Sequence, residues 1–363
     1  MIREILTYQP LFFAVALVFT FVRRCRMGLA ARVAWTAAIF VCAVKFVFFE
    51  FVGGSAFSPE LPEKLIWAWN WAYSGMCLLL LLSILLFFLP PRVKLFALPA
   101  IAWTASAVGV WNGLRLPETR EVEISFENLP ESLDGYRILH LTDIHASSAA
   151  RRWRTEAIVE RANAARADLI VVTGDLVDGK PEFQAENVEP LRNLSAPDGV
   201  LHCTGNHEYY HGWSRWKAKY DEWGLRFLDG EWVSPRPGLV VAGARDAACT
   251  KAGLPVPDVS SAFDGATNGE FRVFLQHRPW LDCLKYGKVP LEDFDLQISG
   301  HTHGGVAPVI GWLTKVMNNG LLKGEYDLGR GRRLFVSSGV GQWAGFPIRF
   351  FDDSEINVLV LRR

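Results

Sequence analysis

Arg137-Ile-Leu-His-Leu-Thr-Asp-Ile-His145 begins as an apolar, strand-like run and ends on an aspartate and a histidine two positions apart. The arrangement recurs in Leu169-Ile-Val-Val-Thr-Gly-Asp175, Val200-Leu-His-Cys-Thr-Gly-Asn-His-Glu208, Phe271-Arg-Val-Phe-Leu-Gln-His277 and Leu296-Gln-Ile-Ser-Gly-His-Thr-His303. Further strands are expected at Leu239–Ala244, Leu334–Ser337 and Ile356–Leu361, and helices at 151–166, 184–194 and 213–223. Short Val/Ile/Leu runs alternating with polar helical segments predict an α/β fold with buried sheets. In such folds the loops at the carboxyl ends of the strands hold ligands, so five polar clusters far apart in sequence can converge.

The residue types in those loops point to metal chemistry. Carboxylates and imidazoles suit Mn, Fe or Zn, and the absence of Cys argues against a thiolate-bound structural zinc. A shared aspartate bridging two cations offsets their mutual repulsion. Two cations polarise phosphoryl oxygens and lower the pKa of a shared water, while a nearby histidine can protonate the leaving oxygen. Each residue also has a plainer reading: Asp143 as a cap, Asp175 and Asn206 as turn residues, His277 as a strand-end histidine. His301 and His303, two apart at a strand edge, are expected on one face. His140, His202 and His211 read as structural or peripheral, with His211 a minor candidate for substrate contact. Arg245 and Arg349 are candidates for phosphate binding, against the commoner fate of a surface ion pair.

Five ordered blocks, above all Gly205-Asn-His-Glu and Gly300-His-Thr-His-Gly-Gly305, make residues 135–363 resemble the calcineurin-like metallophosphoesterase superfamily. The resemblance implies a four-layer αββα sandwich. It also implies one metal on Asp143, His145 and His303, a second on Asn206, His277 and His301, and Asp175 between them. His207 matches the histidine that protonates the leaving group or stabilises the transition state. Glu208, Ala146 and Val306 depart from residues common in relatives, and none of these changes removes an implied ligand.

The first third of the chain has a different texture. Hydrophobic residues are 50% of the 363-residue chain and concentrate before about residue 112. Apolar stretches at 8–22, 34–52, 66–90 and 95–111 approach the roughly 17–25 residues that cross a bilayer as a helix. The expected organisation is a four-span transmembrane region over 1–112, a linker and entry to the soluble domain over 113–134 and the phosphoesterase domain over 135–363. Arg23, Arg24, Arg26 and Arg32 fill the first loop and Arg92 and Lys94 the third, whereas the second carries Glu50, Glu60, Glu63 and a lone Lys64. Basic loops stay cytoplasmic, so the phosphoesterase domain is expected on the extracytoplasmic side of the cell membrane. Trp67, Trp69, Trp71, Tyr73 and Trp111 fit an aromatic belt at that outer interface. Lys45, inside the second stretch, either faces a bundle interior or serves transport or sensing.

Zero net formal charge gives no sign of a polyanion, and no nucleic acid is expected as partner. Cys203, Cys249 and Cys283 form no CxxC pair and indicate no disulfide framework. The segment Ala247–Gly269 reads as a long loop, a candidate lid. Trp312, Leu313, Val316, Met317, Leu321 and Leu322 form an apolar stretch at roughly helical spacing, either core or a bilayer-dipping element.

The combined expectation is a membrane-anchored enzyme with two divalent metal ions (Mn, Fe or Zn). It would hydrolyse a phosphoester or pyrophosphate, in a lipid or envelope-associated substrate, through a metal-bound hydroxide. The alternative is a non-catalytic membrane sensor or transporter with a ligand-binding phosphoesterase-like domain. Oligomeric state is not legible.

Overall fold

The computed structural model describes residues 2–55, 57–255, 262–267, 269–279 and 294–363. The chain divides into two compact units, one of residues 1–114 with 343–350 and one of 115–342 with 351–363. Cys283 and part of the candidate lid lie outside the described residues.

The first unit is helical. Its elements are α1 (Ile2–Leu17), which runs on as a π-helical turn over Val18–Val22, α2 (Leu29–Ala43), α3 (Lys45–Val52), α4 (Glu63–Leu85) and α5 (Pro91–Leu114). Among the described residues α4 and α5 are long and apolar enough to cross a membrane; α2 and α3, bent by 50°, make a third candidate if taken as one span. The stretch expected as the first of four spans lies in a shorter apolar helix, Thr7–Val22. Lys45 starts α3 at the bend and is fully buried. Its Nζ donates to Asn70 Oδ1 and to Gly345 O, both at 2.5 Å. The rings of Phe46, Phe49, Tyr73 and Phe346 surround it. A buried amine is tolerable when it is hydrogen-bonded, and this one faces the bundle interior.

The second unit contains two mixed six-stranded sheets. Strands β1 (Glu118–Ser125), β2 (Arg137–Leu141), β3 (Leu169–Thr173), β4 (Val200–Cys203) and β5 (Arg226–Phe227) are joined by the late strand β12 (Glu355–Arg362) in the order β1-β12-β2-β3-β4-β5. Strands β6 (Glu231–Arg236), β7 (Leu239–Gly243), β8 (Phe271–Leu275), β9 (Leu296–Ser299), β10 (Gly324–Gly329) and β11 (Arg332–Val336) form the order β10-β11-β9-β8-β7-β6. β12 pairs parallel to β1 and antiparallel to β2, so 113–134, expected as a linker, contributes a strand to the sheet.

The inner faces of the two sheets share one core. Ile138, Val171 and Leu359 of the first pack with Val241, Val273 and Ile298 of the second. The outer face of the first sheet buries Leu139, Val172 and Val358 against α6 (Arg152–Ala164), α7 (Pro181–Val188) and α9 (Trp213–Glu222), through Ile158, Val188 and Trp216. Two further helices serve the loops: α8 (Asn206–Tyr210) follows β4, and α10 (Pro308–Met317) follows β9. β3 is buried along its whole length, as a central parallel strand must be. The parallel segments β2-β3-β4 and β7-β8-β9 end at loops that carry the polar blocks.

Candidate metal centre

Asp143 and His145 follow β2, Asp175 follows β3, Asn206 opens α8 after β4, His277 follows β8, and His301 and His303 follow β9. Five of these residues hold positive φ: Asp143 (54°), His145 (48°), Asp175 (53°), His301 (73°) and His303 (50°). Non-glycine residues rarely adopt this left-handed conformation, and such strain concentrates at functional sites. His301 and His303 lie past β9 and not on it, so they do not share a strand face; the turn sends them to different partners.

One group of donor atoms comprises Asp143, His145 and His303. His303 Nε2 lies 3.3 Å from Asp143 Oδ1 and 3.2 Å from His145 Nε2. A second group comprises Asp175, His277 and His301. His277 Nε2 lies 3.1 Å from Asp175 Oδ2 and 3.2 Å from His301 Nδ1. Asp175 Oδ2 also lies 3.9 Å from His145 Nε2, so this carboxylate faces both groups.

Outer hydrogen bonds set the imidazoles. His277 Nδ1 donates to Thr173 O at 2.7 Å, which leaves Nε2 as the ligand end. His145 Nδ1 bonds Asp178 Oδ1 at 3.0 Å, and His207 Nδ1 bonds the same oxygen at 2.5 Å. Burial opposes charge on every one of these rings. At His277 Asp175 outweighs burial and lifts the imidazole to about 9. At His145 Asp178 wins in the same way, and at His207 Asp175 and Asp178 do so together. His301 is pulled down by burial, then by Arg278 and His277. Burial alone would raise Asp143 and Asp175, yet the facing histidines hold both below the ordinary carboxylate range.

Two buried acceptors test whether the donor set fits a cation. Asp143 Oδ2 accepts from Thr142 Oγ1 and His301 N, while among the described residues its Oδ1 has no hydrogen-bond partner and Asn206 Oδ1, also buried, has none. Buried oxygens of this kind are costly unless something coordinates them. Paired imidazole nitrogens about 3 Å apart with two carboxylates complete a set that suits divalent cations.

The loops are locked from behind. Glu208, fully buried, accepts from Asp175 N (3.0 Å), Leu176 N (2.7 Å) and Gly205 N (2.6 Å), tying the Asp175 turn to the start of α8. Asp175 Oδ1 accepts from His207 N at 2.8 Å. Gly205 has no side chain because Asp175 occupies that space. Beneath Asp143, Val340 N donates to Thr142 O and Gly341 N to Asp143 O, while Arg154 donates to Val340 O at 2.7 Å.

Sequence reasoning missed Asp178, although a carboxylate three residues after Asp175 was a usable signal. It also missed Arg154, Gly341 and Gly339, where a side chain would overlap Asp143; nothing in local pattern marks them. His140 is buried and bonded to Thr173 Oγ1, and His202 is buried and bonded to Arg226 O. His211 Nε2 lies 3.7 Å from Asp178 Oδ1, closer to the site than expected. Arg245 pairs with Asp229 at 2.6 Å, and Arg349 belongs to the helical unit.

Comparison with known proteins gives a consistent answer. The sequence model of the family described as calcineurin-like phosphoesterase matches residues 136–305. An uncharacterized metallophosphoesterase of Campylobacter jejuni is 32% identical over 253 residues, 69% of this chain and 65% of that protein. One of Helicobacter pylori is 33% identical over 254 residues, 70% of this chain and 66% of that protein. A transmembrane protein with metallophosphoesterase domain from Danio rerio is 30% identical over 264 residues, 70% of this chain and 60% of that protein. The chain thus spans just under two thirds of the length of these relatives.

Proposed function

The chain belongs to the calcineurin-like metallophosphoesterase family, and on that premise we propose that it is a membrane-anchored, metal-dependent phosphoester hydrolase. The observation that carries the reading is the pair of Asp/His groups, one holding Asp175 and the other facing it, with Asp143 Oδ1 and Asn206 Oδ1 as buried acceptors lacking hydrogen bonds among the described residues. Asp143, His145 and His303 would hold one divalent cation and Asn206, His277 and His301 the other, with Asp175 between them. Two such ions, Mn, Fe or Zn, would neutralise phosphoryl charge and lower the pKa of a water nucleophile.

The chain's own residues do the rest. Asp178 fixes His207 through Nδ1, which leaves Nε2 as the end that delivers a proton to the departing oxygen. Asp175 and Asp178 favour the protonated ring against burial, which suits a proton donor at this position. Glu208 holds Asp175 and Asn206 in register through three backbone N–H groups. The reading includes the four-layer αββα arrangement, supported by the shared inner core and the helical cover of the first sheet.

The substrate we favour is a lipid or envelope-associated phosphoester or pyrophosphate, because an anchor confines enzyme and lipid to one surface and raises their effective concentration. The basic loops before α2 and before α5 share one side whether three or four spans cross. The second unit leaves α5 at the opposite, extracytoplasmic side. An impermeant thiol reagent should label Asn112→Cys in intact cells; labelling only after lysis overturns that orientation.

For the chemistry, the full chain purified in detergent should bind two metals and hydrolyse an aryl phosphomonoester or diester. Asp175→Ala and Asn206→Ala should abolish turnover. Full activity in either variant overturns the site assignment, and two bound ions without turnover on any phosphoester favour a non-catalytic sensor.

A further inference from the structure

The exposed face of α10 and the turn at Phe351 are not used by the chemistry above. Ile310, Trp312, Leu313, Val316 and Met317 are all exposed on this one helix, Trp312 by 65% and Met317 by 78%. A contiguous apolar face of this kind marks an interaction site. α10 carries one charge, Lys315, and no acid. Phe351 makes a second, independent case. It is 90% exposed and holds φ at 65°, a costly backbone for an aromatic residue.

Both elements are fastened to the turn that follows His303. A side chain at Gly305 would overlap Gly311 of α10, and one at Gly304 would overlap the Asp352 carboxylate beside Phe351. Thr302 Oγ1 donates to Leu322 O, just past α10, and Lys323 Nζ pairs with Asp352 Oδ1 at 2.5 Å. Whatever covers these apolar groups therefore sits at the edge of the metal centre.

We propose that α10 and Phe351 form a rim that seats on a lipid surface, so that the centre works on a phosphoester carried in a bilayer headgroup. This deepens the hydrolase reading and rests on it for the substrate alone. Two facts favour lipid as the occupant. The same chain carries helices long and apolar enough to cross a membrane, which keeps a bilayer within reach. An aromatic and aliphatic face with a single lysine is also the composition of an interfacial helix. With so little charge, apolar burial drives the seating, and zwitterionic lipid suffices.

The test uses the full chain reconstituted in phosphatidylcholine vesicles, with a polarity-sensitive fluorophore on Met317→Cys and, as control, on Lys217→Cys of α9. Labelling of the chain without an introduced cysteine is subtracted. Lipid-borne nitroxide should quench the 317 probe several-fold more than the control, aqueous iodide should quench it less, and Trp312→Glu should reduce the lipid quenching. Equal iodide quenching at both positions without lipid quenching overturns the proposal. So does a 317 probe shielded in detergent in a chain that runs as a dimer, which would assign the rim to a second copy. The readout is lipid contact, not turnover, and it should persist in Asp175→Ala; lipid contact without any phosphoester turnover would sink the hydrolase reading alone. Where turnover exists, Leu313→Glu should slow hydrolysis of a vesicle-borne phosphoester by about tenfold while a soluble aryl phosphoester is cleaved as before.

Discussion

Gly205→Ala adds one methyl group where the Asp175 and Asn206 loops cross. Gly205 itself has φ −99° and ψ −171°, a backbone that alanine accepts, so the perturbation is steric alone. The new Cβ would lie 2.5 Å from Asp175 N and 2.8 Å from its Cγ, and closer still to Oδ1. Ordinary contacts of this kind are about 3.4 Å, so Asp175 and residue 205 must separate by roughly 1 Å, set by the Oδ1 contact, an overpacking cost of about 1–3 kcal/mol. Asp175 cannot yield freely, because its N–H is held by Glu208 and its Oδ1 by His207 N. A displacement near 1 Å of a group that orients the reacting atoms costs on the order of 100-fold in rate. Turnover of an aryl phosphodiester by the purified chain should fall by that amount, with metal content by elemental analysis reduced at one of the two positions. Wild-type turnover together with two full equivalents of metal would refute the claim that this crossing sets Asp175.

Asp178→Asn should lower metal affinity or turnover by about 10–100-fold, since it removes the charge that orients two imidazoles. It should also move the alkaline limb of the rate profile to lower pH, because Asp178 helps raise His207 and the acid form is lost as pH rises through that value. His277 is raised to about 9 from an ordinary 6.5, so in the metal-free chain the Asp175–His277 pair stabilises fully below about 6.5 and fades as pH rises through about 9. Metal must displace that proton, and titration calorimetry in buffers of different ionisation enthalpy should show proton release and tighter binding at pH 8 than at pH 6. Chelation should abolish turnover and lower the thermal midpoint, and metal at 100 times its dissociation constant should restore about 2.7 kcal/mol. Lys45→Met leaves Asn70 Oδ1 and Gly345 O without their Nζ donor and should destabilise the detergent-solubilised chain by about 1–3 kcal/mol for each. An unchanged midpoint would mean that the buried amine contributes no net stability.

The strand ends that carry Asp143, Asp175, Asn206, His277 and His301 are readable because each is a local event: an apolar run, one small or polar residue (Thr142, Gly174, Gly205, Gln276 or Gly300), then the candidate ligand. Elements held by distant partners were not. β1 alternates charged residues, Glu118-Thr-Arg-Glu-Val-Glu, and becomes a strand only through β12. Arg154 and the glycines at 339 and 341 act on Asp143 from far along the sequence, and no local spacing reveals that. Asp178 is legible in principle, as a carboxylate three residues past Asp175, but it stands outside the strand-end pattern that marks the others. In the helical unit, hydropathy alone cannot see the π-helical turn at Val18–Val22 or the bend beside Lys45, and these decide which apolar stretches form straight helices.

The place of β12 between β1 and β2 has a consequence for how the domain is made. β2 carries the Asp143 loop, yet the strand that separates it from β1 is the last of the domain to be synthesised. Until then the edge of β2 stays open, and the pairing that closes it is among the most distant in the chain, which slows folding and leaves the edge open to wrong partners. Folding that finishes at its far end also delays assembly of the centre. Metal loading should therefore follow the pairing of β12, and removal of β12 should leave a chain that is degraded, not one that is merely inactive.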